Sequence, residues 1–211
     1  IQTLCIAEKS SLYRGISKLL RTAERENGNV TGQYIELSCC EENEHIESYF
    51  IENAKTSDTC ICYSEQGRTV QSWKKLKEGI TNSNSLWKDE GVYLLTGGIS
   101  GLAEITMRHI ASSVQNATIV LTGRKDLEEV KDVIQQYKEL PAKIAYYPVD
   151  MTDYNRVCEV VTSILNTYSK IDGVLYGAGI LRDCYIIEKN IEEFKMVMAP
   201  KIHGIVNLDL A

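Results

Sequence analysis

No apolar run in this chain approaches the roughly 20 residues that a membrane-spanning helix needs, and no signal-peptide pattern is present. A basic patch is also lacking. Lysine and arginine total 23 against 29 acidic residues, a formal charge of −6, so neither a nucleic-acid nor a membrane partner is expected. The seven cysteines (Cys5, Cys39, Cys40, Cys60, Cys62, Cys158, Cys184) include no C-x-x-C pair. An odd count, mostly in apolar runs, fits free thiols in a reducing cytoplasm better than a disulfide framework. Cys39-Cys40 with His45 matches no common zinc spacing, and no metal site is expected. No internal repeat or low-complexity segment interrupts the chain. The first residue is Ile1 rather than Met, so a piece of something longer is expected.

What is present is enough apolar material for a core: 44% hydrophobic and 25% charged residues over 211 positions. The first ~65 residues alternate as β-α-β-α-β. Strands are expected at 2–6, 33–37 and 59–63, with helices between them, the first capped by Ser10-Ser11 and ended by Gly28. Residues 64–90 read as turn and loop, rich in glycine, serine and asparagine. Trp73 and Trp87 in this stretch either anchor it to a neighbouring domain or fill gaps in local packing. A domain boundary is placed near residue 90, giving regions 1–90 and 91–211.

From residue 91 the alternation is regular. Strands are expected at 91–96, 117–122, 143–149 and 171–176, with helices at 101–114, 126–139, 153–168 and from about 190 onward. The strands lack clean alternation, as they should when helices cover both sheet faces. Leu102, Ile105, His109, Ile110 and Val114 recur on one helical face and are the expected core side of the helix over 101–114.

The chemistry sits at strand ends. Val92-Tyr93-Leu94-Leu95-Thr96 runs straight into Gly97-Gly98-Ile99-Ser100-Gly101-Leu102-Ala103. Strand, glycine turn and helix is the arrangement that holds a dinucleotide pyrophosphate, because a helix N-terminus offers unpaired N–H groups and partial positive charge. Glycine serves where a Cβ would block the phosphate or where φ must be positive. The second strand ends at Gly123-Arg124. An arginine at this tip accommodates a ribose 2′-phosphate, which points to NADPH over NADH. The third strand leads to Asp150-Met151-Thr152-Asp153, where Asp150 is placed to accept from an adenine amino group and Asp153 or Thr152 to cap the next helix. The fourth ends in Gly177-Ala178-Gly179, small residues that let a ribose approach the backbone.

Taken in order, these motifs resemble the short-chain dehydrogenase/reductase superfamily, and more narrowly the ketoreductase domain of modular polyketide synthases. The narrower likeness rests on the Met198-Ala199-Pro200-Lys201-Ile202-His203-Gly204-Ile205-Val206-Asn207-Leu208 stretch and on Leu12-Tyr13-Arg14-Gly15, Glu24-Arg25-Glu26-Asn27, Ser72-Trp73 and Leu86-Trp87-Lys88. The resemblance implies a Rossmann-type doubly wound parallel sheet, incomplete, preceded by part of a second Rossmann-like structural subdomain. It implies NADPH-dependent reduction of a β-ketoacyl thioester on an acyl carrier protein, with the carrier, neighbouring synthase domains and the rest of the ketoreductase as partners. Lys201 matches the family's catalytic lysine, which binds the nicotinamide ribose. The family's serine and tyrosine fall past Ala211, so the resemblance implies a cofactor site with one catalytic group. Asp183 in Leu181-Arg182-Asp183 matches an acid that marks B-type stereochemistry, although Arg182 departs from the pattern. Ala103, Ser100 and Tyr176 also depart from common choices. A non-catalytic structural module of a synthase is the competing reading.

Overall fold

The computed structural model describes residues 2–8, 13–38, 46–75, 86–99 and 101–211. The Ser10-Ser11 cap, Cys39, Cys40 and His45, the 81–85 run and Ser100 lie outside the described residues. The chain divides into two compact units. One is Ile1–Gly79 with Cys184–Glu188, and the other is Ile80–Asp183 with Lys189–Ala211. The family-like region from residue 91 therefore lends a short segment, Cys184–Glu188, to the first unit. There the Ile186 N–H donates to Glu26 Oε2 at 2.8 Å.

The first unit comprises β1 (Gln2–Glu8), α1 (Arg14–Glu26), β2 (Thr31–Leu37), α2 (Ile46–Asn53), β3 (Cys60–Ser64) and β4 (Gly67–Val70). Its sheet runs β1-β2-β3-β4. The first three strands are parallel, and β4 folds back antiparallel on β3 with Ser64 opposite Gly67. That hairpin was not expected from the sequence, where residues 64–70 read as loop. Gly67 does sit at the turn with φ +95°, but the chain pairs after it instead of wandering. Tyr34, Ile35 and Ile61 form the buried centre. Gly32 lies under α1, where a Cβ would stand 2.6 Å from Leu20 Cβ. Arg14 spans both carboxylate oxygens of the buried Glu36 at 3.0 Å each.

The second unit comprises β5 (Val92–Thr96), α3 (Leu102–Ser113), β6 (Ala117–Gly123), α4 (Leu127–Gln136), β7 (Ala142–Pro148), α5 (Tyr154–Tyr168), β8 (Gly173–Leu175) and α6 (Ile191–Leu210). Its parallel sheet has the order β7-β6-β5-β8. Strands are added outward from β5 to β7, and β8 then returns to the other side of β5, which is double winding. Both faces are covered, as the unalternating strands demanded. Tyr93, Leu95, Ile119 and Leu121 pack with Met107, Ile110 and Ala111 of α3. Val92, Leu94 and Val120 face Val157, Val160, Val161 and Ile164 of α5. Strand β8 is shorter than the expected 171–176.

The core side of α3 agrees with the expectation at Ile110 and Val114 and differs at Leu102, Ile105 and His109, which are exposed. Its buried stripe is Ala103, Met107, Ile110 and Ala111. Leu102 is 76% exposed and Ile105 65% exposed. The two alanines let the helix lie close to the sheet, and that closeness outweighs the pull of the larger aliphatic side chains. The two tryptophans part company. Trp87 packs edge-on against Tyr93, ring centroids 5.1 Å apart, whereas Trp73 is 94% exposed. No helix among the described residues is long and apolar enough to cross a membrane.

Asp172 ties the edge of this sheet together. Its Oδ2 accepts from the Val92 N–H at 3.0 Å, and Lys170 and Lys88 stand 2.9 and 3.5 Å from the carboxylate. The Val92 hydrogen bond first, and then Lys170, hold its pKa down at about 2. A carboxylate whose folded pKa is depressed adds stability above its ordinary value near 4 and loses it as the pH falls from there through about 2. Asp172→Asn is therefore expected to be less stable than the parent at pH 6, with the gap closing between pH 4 and pH 2. Urea unfolding at stepped pH checks this, and a gap constant down to pH 2 would contradict it.

Candidate functional site

Double winding opens a crevice beyond the carboxyl ends of β5 and β8, the general place for a ligand in open α/β sheets. Here it is a cavity of about 500 Å³ in the second unit. Its floor is the glycine turn. Gly97, Gly98 and Gly101 have φ of +106°, +100° and +62°, a region that L side chains enter only under strain. Gly97 is doubly constrained, because a Cβ there would run into the Gly177 carbonyl. Thr96, fully buried, locks the two loops to each other. Its Oγ1 accepts from the Gly177 N–H at 3.0 Å and the Ala178 N–H at 3.3 Å. The Gly97 and Gly98 N–H groups are themselves engaged, both donating to the Thr122 carbonyl at 3.1 and 2.7 Å. The amides of the turn's first two glycines are therefore already committed to the protein.

Most of the residues singled out from the sequence converge on this cavity. Gly97, Gly98, Ile99, Gly123, Arg124, Asp150, Met151, Ala178 and Gly179 line it. Gly101, Leu102 and Gly177 do not. Gly101 caps α3, Leu102 faces outward, and Gly177 sits behind the turn with its own Cβ position 2.8 Å from the Thr96 carbonyl. Lys201 is exposed on α6 and is not part of the lining, although a Cβ at Gly179 would lie 3.9 Å from its Cε. Leu181-Arg182-Asp183 forms an exposed segment without regular structure, and the Lys189 ammonium donates to the Arg182 carbonyl.

Asp150 has a local role that the sequence reading did not assign. Its Oδ1 accepts from the Thr152 N–H at 2.9 Å and the Thr152 hydroxyl at 2.7 Å, an Asx turn at the end of β7. Asp153 is the residue that caps α5, accepting from the Arg156 N–H at 3.1 Å.

Several lining residues carried no sequence signal. Lys125, beside Arg124, puts a second cation on the wall, and neither side chain makes an ion pair among the described residues. Tyr146 of β7 and Met196 of α6 line it too, next to Ala199 and Pro200, which belong to the α6 stretch that carried the family likeness. Tyr137 reaches back from beyond α4 to donate to the Ile99 carbonyl at 2.8 Å, steadying the turn. Tyr176 explains its own bulk. Its hydroxyl donates to the Pro200 carbonyl, and it fills the space that a Cβ on Gly204 would need. Asn207 adds a second tie, Nδ2 donating to the Met151 carbonyl at 2.9 Å. Two polar contacts thus hold α6 against the strand ends.

The sequence pattern of the KR domain matches residues 91–211, the part that builds the cavity. Polyketide synthase PksN of Bacillus subtilis (strain 168) is 37% identical over 215 residues, covering 100% of this chain and 4% of its own length. The chain thus spans a small fraction of the synthase it matches. The crystal structure of a ketoreductase domain from the bacillaene assembly line superposes with a TM-score of 0.85 at 31% identity, covering 99% of this chain and 51% of that one. The L-sorbose reductase of Gluconobacter frateurii, complexed with NADPH and L-sorbose, shares the fold at a TM-score of 0.52 and 20% identity over 59% of this chain. With the glycine turn, the strand-end motifs and the double winding in place, the chain belongs to the ketoreductase domain family of polyketide synthases, within the short-chain dehydrogenase/reductase superfamily.

Proposed function

We propose that the cavity of the second unit holds NADPH, and that the chain serves the reduction of a β-ketoacyl thioester carried on an acyl carrier protein to its β-hydroxyacyl form. One observation carries this reading: Arg124 and Lys125 line the same cavity as the glycine turn. Two cations at the tip of β6 suit a doubly charged 2′-phosphate, which the ribose of NADH lacks. The first turn of α3 would meet the pyrophosphate with backbone N–H groups. Ala178 and Gly179, without bulk, would admit the nicotinamide ribose, and Lys201 would reach that ribose from α6. When bound, the nicotinamide supplies the hydride that goes to the carbonyl carbon. Region 1–90 would act as the structural subdomain, with neighbouring synthase domains and the carrier protein as partners in the cytoplasm.

The competing reading, a structural module without turnover, takes its support from Lys201, which stands outside the cavity lining. Titration of the chain with NADPH and NADH, followed by nicotinamide fluorescence, separates the two. The reductase reading expects saturable NADPH binding at least tenfold tighter than NADH binding. Equal affinities, or none, would leave the scaffold.

A further inference from the structure

The segment that presents Arg124 and Lys125 is short and exposed, yet it is pinned at defined points. At its start, the Thr122 carbonyl receives the Gly97 and Gly98 N–H groups, and the Gly123 carbonyl receives the Val149 N–H at 2.8 Å. At its end, Asp126 and Glu129 form a reciprocal capping box that begins α4. Between these points one side chain bridges the gap. Tyr146, paired with Leu121 in the sheet, sends its hydroxyl to the Lys125 carbonyl at 2.8 Å. It passes over Gly123, where a Cβ would meet the Tyr146 hydroxyl at 2.9 Å and Gly98 Cα at 3.1 Å. Glycine at 123 thus lets the tyrosine cross to its acceptor. Burial, and then Glu129 and Asp126, raise the phenol pKa, so the hydroxyl remains a donor across the physiological range.

We propose that Tyr146 is a positioning residue for 2′-phosphate selectivity: by holding the Lys125 carbonyl it fixes the backbone from which the two cations reach the cavity. The inference rests on the NADPH reading above. The geometry separates its effect from general stability. Among the described residues the hydroxyl's hydrogen bond goes to the Lys125 carbonyl, and not to the glycine turn, the Ala178–Gly179 loop or the first turn of α3, the groups that both cofactors would use.

The test is Tyr146→Phe, which keeps the ring and removes one hydrogen bond, measured beside the parent and Arg124→Ala with both cofactors. Loosening the two cations is expected to weaken NADPH binding by about fivefold, the scale of one hydrogen bond, while NADH binding changes by less than about twofold. A parallel loss for both cofactors would make Tyr146 a merely structural residue and overturn the proposal, as would an unchanged NADPH-to-NADH ratio. If the ratio collapses in Arg124→Ala but not in Tyr146→Phe, the latch fails and the NADPH reading stands. If Arg124→Ala leaves the ratio unchanged, the NADPH reading falls, and the latch falls with it.

Discussion

Gly97→Ala is expected to destabilise the second unit by about 2 to 6 kcal/mol and to abolish binding of NADPH and NADH alike. Two costs add. The residue sits at φ +106°, and holding an alanine there costs about 1 to 3 kcal/mol. The new methyl group would also occupy the place of the Gly177 carbonyl, which Thr96 holds through the neighbouring amides. Overpacking of this kind costs about 1 to 3 kcal/mol more. Relief would require the 177–179 loop to move off the glycine turn, and both loops contribute to the cavity lining. Gly98→Ala provides the internal comparison. Its φ is +100°, but no atom of the described residues lies within 4 Å of the added Cβ. It should therefore carry the backbone cost without the collision and fall short of Gly97→Ala by about 1 kcal/mol or more. Denaturant unfolding of both variants measures the difference, and equal losses would remove the loop collision from the account.

Arg124→Ala should weaken NADPH binding by about 2 kcal/mol, near 30-fold, with NADH binding changed by less than about threefold. The side chain is exposed and forms no ion pair among the described residues, so its removal leaves no buried partner unsatisfied, and the fold should not register the change. Lys125 on the same wall limits the loss, because a second cation still meets the phosphate. Removing both should therefore exceed the single change, and the excess should shrink as salt is raised, since exposed charges are screened over roughly 10 Å at 0.1 M. Fluorescence titration of each variant with both cofactors reads the outcome. Equal losses for the two cofactors would deny Arg124 its phosphate.

The sequence by itself determined the strand–turn–helix order of the second unit, its double-sided burial and the strand tips where chemistry gathers. Those signals are local: an apolar run long enough to bury both faces, glycines where φ turns positive, and a capping residue, Asp153 or Thr152, at the helix start. The tertiary structure decided how the core face of α3 turns about Ile110, because Ala103 and Ala111 win over Leu102 and Ile105 by close approach, a property of the sheet they meet. It alone decided that residues 67–70 pair with β3, since Gly67-Arg68-Thr69-Val70 carries little strand signal until a partner edge is present. Tyr146 joined the site, and Tyr176 came to hold α6 beside it, through contacts that cross from one strand end or helix to another. No periodicity within a single segment encodes such a contact, because the side chain and its acceptor belong to different elements whose meeting is set only when the sheet is assembled.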